Sequence, residues 1–220
     1  MVSVCGKEML IDMDPMDKAV LVSLHVSTLD PTVQAYDRIW SRLPISREYF
    51  DSIVDRLIKM GLIEKNDPSK LTFIGRDAIK VVLVGGVFDL IHPGHIHTLK
   101  AAKAVGDLLV VIVARTYTAQ KIKKDRKIYH EEALRKELVS SLSFVDLALV
   151  GREGTLYDTV EYVKPNVIAL GYDQSHSERE IAENCAKRNL NVQVIRLSTP
   201  IPGSKSSKIK EELGDSIYGI

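Results

Sequence analysis

Cysteine is scarce in this chain and long apolar runs are missing, and each shortage removes a class of protein. Only 2 cysteines occur in 220 residues, Cys5 and Cys185. They lie far apart with no CxxC or Cys/His spacing around them, so neither a disulfide framework nor a structural zinc site can be assembled. Both are expected as free thiols in a reducing compartment. No stretch approaches the roughly 20 uninterrupted apolar residues that span a bilayer. The opening residues, MVSVCGKEML, lack the basic, apolar and cleavable zones of a secretory signal. A cytoplasmic location with no membrane partner is therefore expected. An excess of one charge is also missing: 30 Lys plus Arg stand against 29 Asp plus Glu. With 45% apolar and 27% charged residues, the composition is that of a globular protein, not of a disordered, collagenous or coiled-coil chain. The length allows one large domain, or one ordinary and one small domain.

The hydrophobic pattern changes near Ile79, which divides the chain into residues 1–78 and 79–220. The first part predicts helices at about Asp17–Ser27, Thr32–Leu43 and Arg47–Met60, the last with Ser46 as N-cap and Gly61 as C-terminal signal. Leu62–Lys65 and Lys70–Ile74, separated by Asn66-Asp-Pro-Ser69, predict two strands and a turn. Three helices followed by such a hairpin, with the phrase MGLIEKND before it, resemble a winged-helix domain. That resemblance suggests DNA, but residues 1–77 hold 10 Lys plus Arg against 12 Asp plus Glu, a net charge of −2. Arg47, Arg56 and Lys59 of the third helix are matched by Glu48, Asp51 and Asp55. Duplex binding favours a basic face, so the charge argues against DNA. It favours a module for dimerisation or for packing on the second domain, with a homodimer as one expectation.

The second part predicts an α/β domain with a doubly wound, parallel, five-stranded sheet. Apolar runs at Lys80–Val84, Leu108–Ala114, Leu147–Val150, Val167–Leu170 and Val192–Ile195 read as buried parallel strands. Helices are predicted between them at about His95–Val105, Glu131–Leu142, Leu156–Val163 and Ser177–Asn189.

Directly after the first strand comes GGVFDLIHPGH, residues 85–95. Gly85 and Gly86 are read as a turn that lets backbone approach an anion, and the next helix points its free amides and positive dipole end at the same place. His92 and His95 are three residues apart, on one side of the first turn, with Pro93 starting the helix and Gly94 leaving space. His97 is expected to point elsewhere. Two imidazoles facing one ligand can donate hydrogen bonds to phosphate oxygens. The alternatives are plain helix capping or a metal pair; the second wants a third ligand and the i, i+4 spacing of HExxH, which is absent.

GGVFDLIHPGHIHTLKAAKAVGDLLVVIVA resembles the GxFDxxHxGH signature of the cytidylyltransferase-like nucleotidyltransferases, over about residues 80–213. The resemblance implies nucleotidyl transfer to a phosphorylated acceptor, a Mg²⁺-bound triphosphate and release of pyrophosphate. Within that family, VIVARTYTAQKIK, RKIYHEEALRKELV, VDLALVG and PNVIALGYDQ resemble the archaeal FAD synthases. ATP and FMN are thus the implied substrates. KIYHEEALRK and GSKSSKIK also resemble the glycerol-3-phosphate cytidylyltransferases, which leaves CTP and a phosphorylated alcohol as the alternative pair. A nucleotide-sensing winged-helix regulator is the alternative from another class.

The resemblance implies further site residues. Gly86, Val87, Phe88, His92, Pro93, Gly94 and His95 fall in the nucleotide-binding signature, with His92, His95 and Lys123 as the catalytic set. Lys121-Ile-Lys-Lys-Asp-Arg-Lys127 is either a solvated run or, leaving the carboxyl edge of a parallel sheet, a clamp in which Lys123, Arg126 or Lys127 grips the acceptor phosphate. Arg135 is either a further acceptor-phosphate ligand or a buried ion-pair partner. Gly171 and Asp173, at the end of the fourth strand, are expected at the ribose or base. Ser206 and Ser207 make a second anion cradle at the start of the last helix. An arginine common directly before that cradle in the cytidylyltransferases is replaced by Pro200-Ile-Pro202, with Arg196 further away.

Overall fold

The computed structural model describes residues 13–122, 128–172, 174 and 176–198. The chain divides into two compact units, Met1–Ile79 and Lys80–Ile220.

In the first unit, α1 (Pro15–Leu29) begins where the Asp14 carboxylate accepts the Met16 and Asp17 amides, with Pro15 at the first helical position. It is followed by α2 (Ala35–Trp40) and α3 (Arg47–Lys59). The Ser46 hydroxyl accepts from the Tyr49 amide at 3.2 Å, as its capping position predicts. α3 buries Phe50, Ile53, Val54 and Leu57, the 3–4–7 spacing of one helical face. The expected hairpin is reduced to one antiparallel bridge, Ile63 with Leu71. Its second strand, Lys70–Ile74, is not formed. The Thr72 hydroxyl instead accepts from the Gly75 amide at 3.0 Å and donates to the Gly61 carbonyl at 2.7 Å, which starts the short helix α4 (Phe73–Asp77). Gly75 then lies so close to the chain that a Cβ there would be 1.9 Å from the Leu62 carbonyl oxygen. Capping and close approach together override the β-branched, apolar character of Leu71–Ile74.

The second unit contains β1 (Val81–Gly86), α5 (Pro93–Lys103), β2 (Leu108–Val113), α6 (Thr116–Ile122), α7 (Glu132–Ser140), β3 (Leu147–Val150), α8 (Leu156–Val163), β4 (Val167–Leu170), α9 (Glu178–Ala186) and β5 (Gln193–Arg196). All pairs are parallel, in the order β3-β2-β1-β4-β5. The inner strands are buried on both faces, which explains their unbroken Val, Leu and Ile content. Val82, Val84, Leu109, Val111, Val113, Val167 and Ala169 share one core with Leu99 and Ala102 of α5 and Val139 of α7.

Two sequence expectations are corrected here. Gly85 and Gly86 are not a turn: they continue β1 and pair with Ile112 and Val113. α6 occupies part of what reads as a loop, since the cationic run conceals the helical residues before it.

Strand order places the site. The chain moves from β1 outward to β2 and β3, then returns through α8 to the other flank of β1. The reversal falls between β1 and β4, where an open parallel sheet leaves a crevice at the carboxyl ends of its strands.

Candidate active site

The phosphate turn comprises the six residues between β1 and α5, Val87 to His92, and the first turn of α5. β1 ends at Gly86, and Phe88 then adopts a left-handed conformation with φ 52°. A phenylalanine has no intrinsic preference for that region. Burial holds it there: Phe88 is 4% exposed within the sheet core, and its ring folds back so that a Cβ on Gly86 would sit 2.7 Å from it. Gly86 thus makes room for Phe88, not for an anion. Phe88 supports the turn from beneath, its ring centroid 5.3 Å from that of His95.

His92 is the N-cap residue of α5, Pro93 its first helical residue and His95 the third. The two imidazoles lie face to face, centroids 3.9 Å apart and planes inclined by 30°. Both are half-buried. Proline has no amide, and the amides of His95 and Ile96 bond back to the His92 carbonyl. The Gly94 amide is the one in this first turn with no backbone acceptor among the described residues. Paired imidazoles, one free amide and the positive end of an eleven-residue helix form a compact donor set for an anion. His97 lies on a part of α5 that His95 and Gly94 do not share. It lines an open groove of about 530 Å³ with His92, Ile91, Pro93, Ile96 and Lys100.

Three residues that the sequence reading left aside or placed otherwise hold this turn. Asp89 is 1% exposed, and its Oδ1 accepts the amides of Tyr129 and His130 at 2.9 and 3.1 Å. Arg135 is 0% exposed. Its Nε donates to the His130 carbonyl, Nη1 to the carbonyls of Val87 and Ala114, and Nη2 to the Thr116 hydroxyl. The guanidinium is enclosed and four of its five N–H groups are used, which supports the reading of a buried partner over that of an acceptor-phosphate ligand. Its partners are chiefly carbonyls; Glu132 is 4.0 Å away. Burial draws the guanidinium pKa down, and the carboxylates of Asp89 and Glu132 oppose this. Gln174 is the third: its Oε1 accepts from the Gly171 amide at 3.2 Å and its Nε2 donates to the Gly85 carbonyl at 2.7 Å. It therefore ties the ends of β1 and β4 together across the reversal point.

Gly171 does lie at the carboxyl end of β4, but its carbonyl also accepts from Arg196 Nη1 at 2.9 Å. Arg196 further binds the carbonyls of Gln174 and His176 and the Glu178 carboxylate. It is thereby committed to shaping the loop after β4. Lys123, Arg126, Lys127, Asp173, Ser206 and Ser207 lie outside the described residues.

The chain is similar to known proteins. The Cytidylyltransferase-like family profile matches residues 83–212. FAD synthase of Aciduliprofundum boonei is 47% identical over 116 residues, 53% of this chain and 76% of that protein. FAD synthase of Pyrococcus horikoshii is 40% identical over 143 residues, 64% of this chain and 96% of that protein. Among solved structures, the lipopolysaccharide core biosynthesis protein from Thermoplasma volcanium superposes with a TM-score of 0.54 at 41% identity, covering 56% of this chain and 99% of that one. With the histidine pair seated between β1 and α5 and the family profile spanning that turn and the sheet beyond it, the chain belongs to the cytidylyltransferase-like family.

Proposed function

We propose that this protein transfers AMP from ATP to FMN, giving FAD and pyrophosphate. The observation that carries the chemistry is the stacked His92–His95 pair at the N-terminus of α5, set at the sheet's reversal point. The substrates follow from archaeal FAD synthases at 40–47% identity.

A phosphate oxygen of FMN attacks the α-phosphorus of ATP in line. The new P–O bond forms as the bond from the α-phosphorus to its bridging oxygen breaks, and pyrophosphate leaves with that electron pair. No general base is needed, because a phosphate monoester with a second pKa near 6 is already largely dianionic at neutral pH. The protein's work is to position two anions and to meet the charge that grows on the leaving group. His92, His95 and the Gly94 amide do this as preorganised N–H donors.

Mg²⁺ enters on the triphosphate as part of the substrate. Among the described residues no group of three His, Cys, Asp or Glu side chains is placed to hold a metal ion. Asp89, the carboxylate in the turn itself, is buried against two amides. The remaining donors suit phosphate oxygens and not a hard cation.

For the first unit, whose net charge is −2, we infer a protein-packing role over a nucleic-acid one.

Pyrophosphate release is the test, with ATP and CTP each offered FMN and glycerol 3-phosphate in the presence of Mg²⁺. Product with ATP and FMN is expected. Product confined to CTP would overturn the substrates and leave the phosphate turn intact. His92→Ala should lower turnover with ATP and FMN by roughly a hundredfold to a thousandfold; full turnover would remove His92 from the chemistry.

A further inference from the structure

His130 is held more tightly than a surface histidine needs to be. Its amide donates to Asp89 Oδ1 at 3.1 Å, its carbonyl accepts from Arg135 Nε at 2.8 Å, and its ring Nδ1 lies 3.0 Å from the Asp89 carbonyl oxygen. A carbonyl can only accept, so Nδ1 carries the proton in that contact. The tautomer is thus decided by the backbone of the phosphate turn. Three of the four polar groups of this residue are occupied. The fourth, Nε2, makes no hydrogen bond among the described residues, and the side chain is 39% exposed.

The position of this nitrogen matters as much as its freedom. Asp89 is three residues before His92, on the loop that carries the histidine pair. His130 reaches that loop from the segment that leads into α7, beyond the carboxyl end of β2. The reaction brings two phosphate groups to one point, and the pair at the start of α5 serves only the nucleotide side. A second set of donors is required for the acceptor, whose phosphate must come to about 3–3.5 Å from the α-phosphorus.

We propose that His130 binds the acceptor phosphate through Nε2, which makes it a specificity-determining residue for a phosphorylated flavin. This rests on the reading that FMN is the acceptor. To donate to phosphate while Nδ1 donates to Asp89, the ring binds as imidazolium. Asp89 Oδ1 lies 3.6 Å from Nδ1. A residue serving only to brace the turn would need Nδ1 alone.

Two amides separate these roles. The side-chain nitrogen of asparagine overlays Nδ1 of histidine and that of glutamine overlays Nε2, so His130→Asn keeps the contact to Asp89 and loses the outward donor, whereas His130→Gln does the reverse. The affinities of FMN and riboflavin are measured by flavin fluorescence, and KM and kcat by pyrophosphate release, in wild type and both variants. His130→Asn should lose most of the preference for FMN over riboflavin and raise KM for FMN by about tenfold, the worth of one charge-assisted hydrogen bond, with KM for ATP unchanged. His130→Gln should recover part of that preference. An unaltered FMN preference in His130→Asn overturns the proposal, and so does a rise confined to KM for ATP. Wild-type protein that makes no FAD, or binds FMN no better than riboflavin, overturns the reading beneath it instead.

Discussion

Replacing Arg135 by methionine would keep most of its volume and remove a charge that serves four acceptors. The carbonyls of Val87, Ala114 and His130 would be left buried and short of a donor, at a cost of about 1–3 kcal/mol each. Even with partial relaxation, a loss of about 3 kcal/mol is expected, read as a lower urea midpoint by circular dichroism. His25 behaves differently. Burial, and the Arg76 guanidinium beside it, hold its pKa at about 4, down from 6.5, and its Nε2 is buried with no hydrogen-bond partner among the described residues. Between those two values the unfolded chain binds a proton that the folded chain does not. Stability is therefore complete above about pH 6.5 and falls as the pH is lowered toward 4. From pH 7 to 5 the loss at this one site is about 2 kcal/mol. His25→Phe should flatten that part of the pH profile, measured by denaturation followed through Trp40, the single tryptophan of the chain. Equal slopes in the two proteins would show that His25 does not titrate in this way.

At the scale of elements, α4 is the instructive case. Its five residues have an apolar, β-compatible sequence, and they become helical because Thr72 caps them and Gly75 has no side chain. Gly75→Ala would drive a methyl group into the Leu62 carbonyl. The variant should lose about 2–3 kcal/mol, the upper range of overpacking, seen as an earlier unfolding transition at Trp40. Little change would mean that α4 can move off Leu62 cheaply. The Arg135 side chain works at the same scale, since one guanidinium joins the turn after β1, the end of β2 and the approach to α7. Gln174 does the same between β1 and β4. Neither is recognisable in one sequence as a link, because a bond spanning 48 or 89 residues leaves no local pattern.

At the scale of the whole molecule, the two units differ in their relation to known proteins. The match to P. horikoshii FAD synthase takes up 96% of that protein within 64% of this chain. That relative therefore has only a few residues beyond the match, and no room for a counterpart of the first unit. Residues 80–220 alone should retain FAD synthesis at a rate of the same order as the full chain, tested by expressing that segment and following pyrophosphate release. Loss of activity in a folded segment would show that the first unit contributes to catalysis.

Much of this architecture was determined by the sequence alone. Alternating buried strands and amphipathic helices announce themselves through period and composition, which are local properties, and the histidine pair is visible because its two members are three residues apart on one helical turn. The end of β1 was misplaced because glycine signals a turn, whereas the ladder to Ile112 and Val113 keeps both glycines in the strand. The wing's second strand was misread because Thr72 and Gly75 act through contacts with residues 61 and 62. Only the tertiary structure decided that Arg135 is enclosed among backbone carbonyls, that Gly86 accommodates Phe88, and that His130 is bonded to Asp89 through its amide and Nδ1. In each case the reason is the same: the role of a polar or small residue depends on which distant backbone groups surround it, and that is settled only when the sheet has closed.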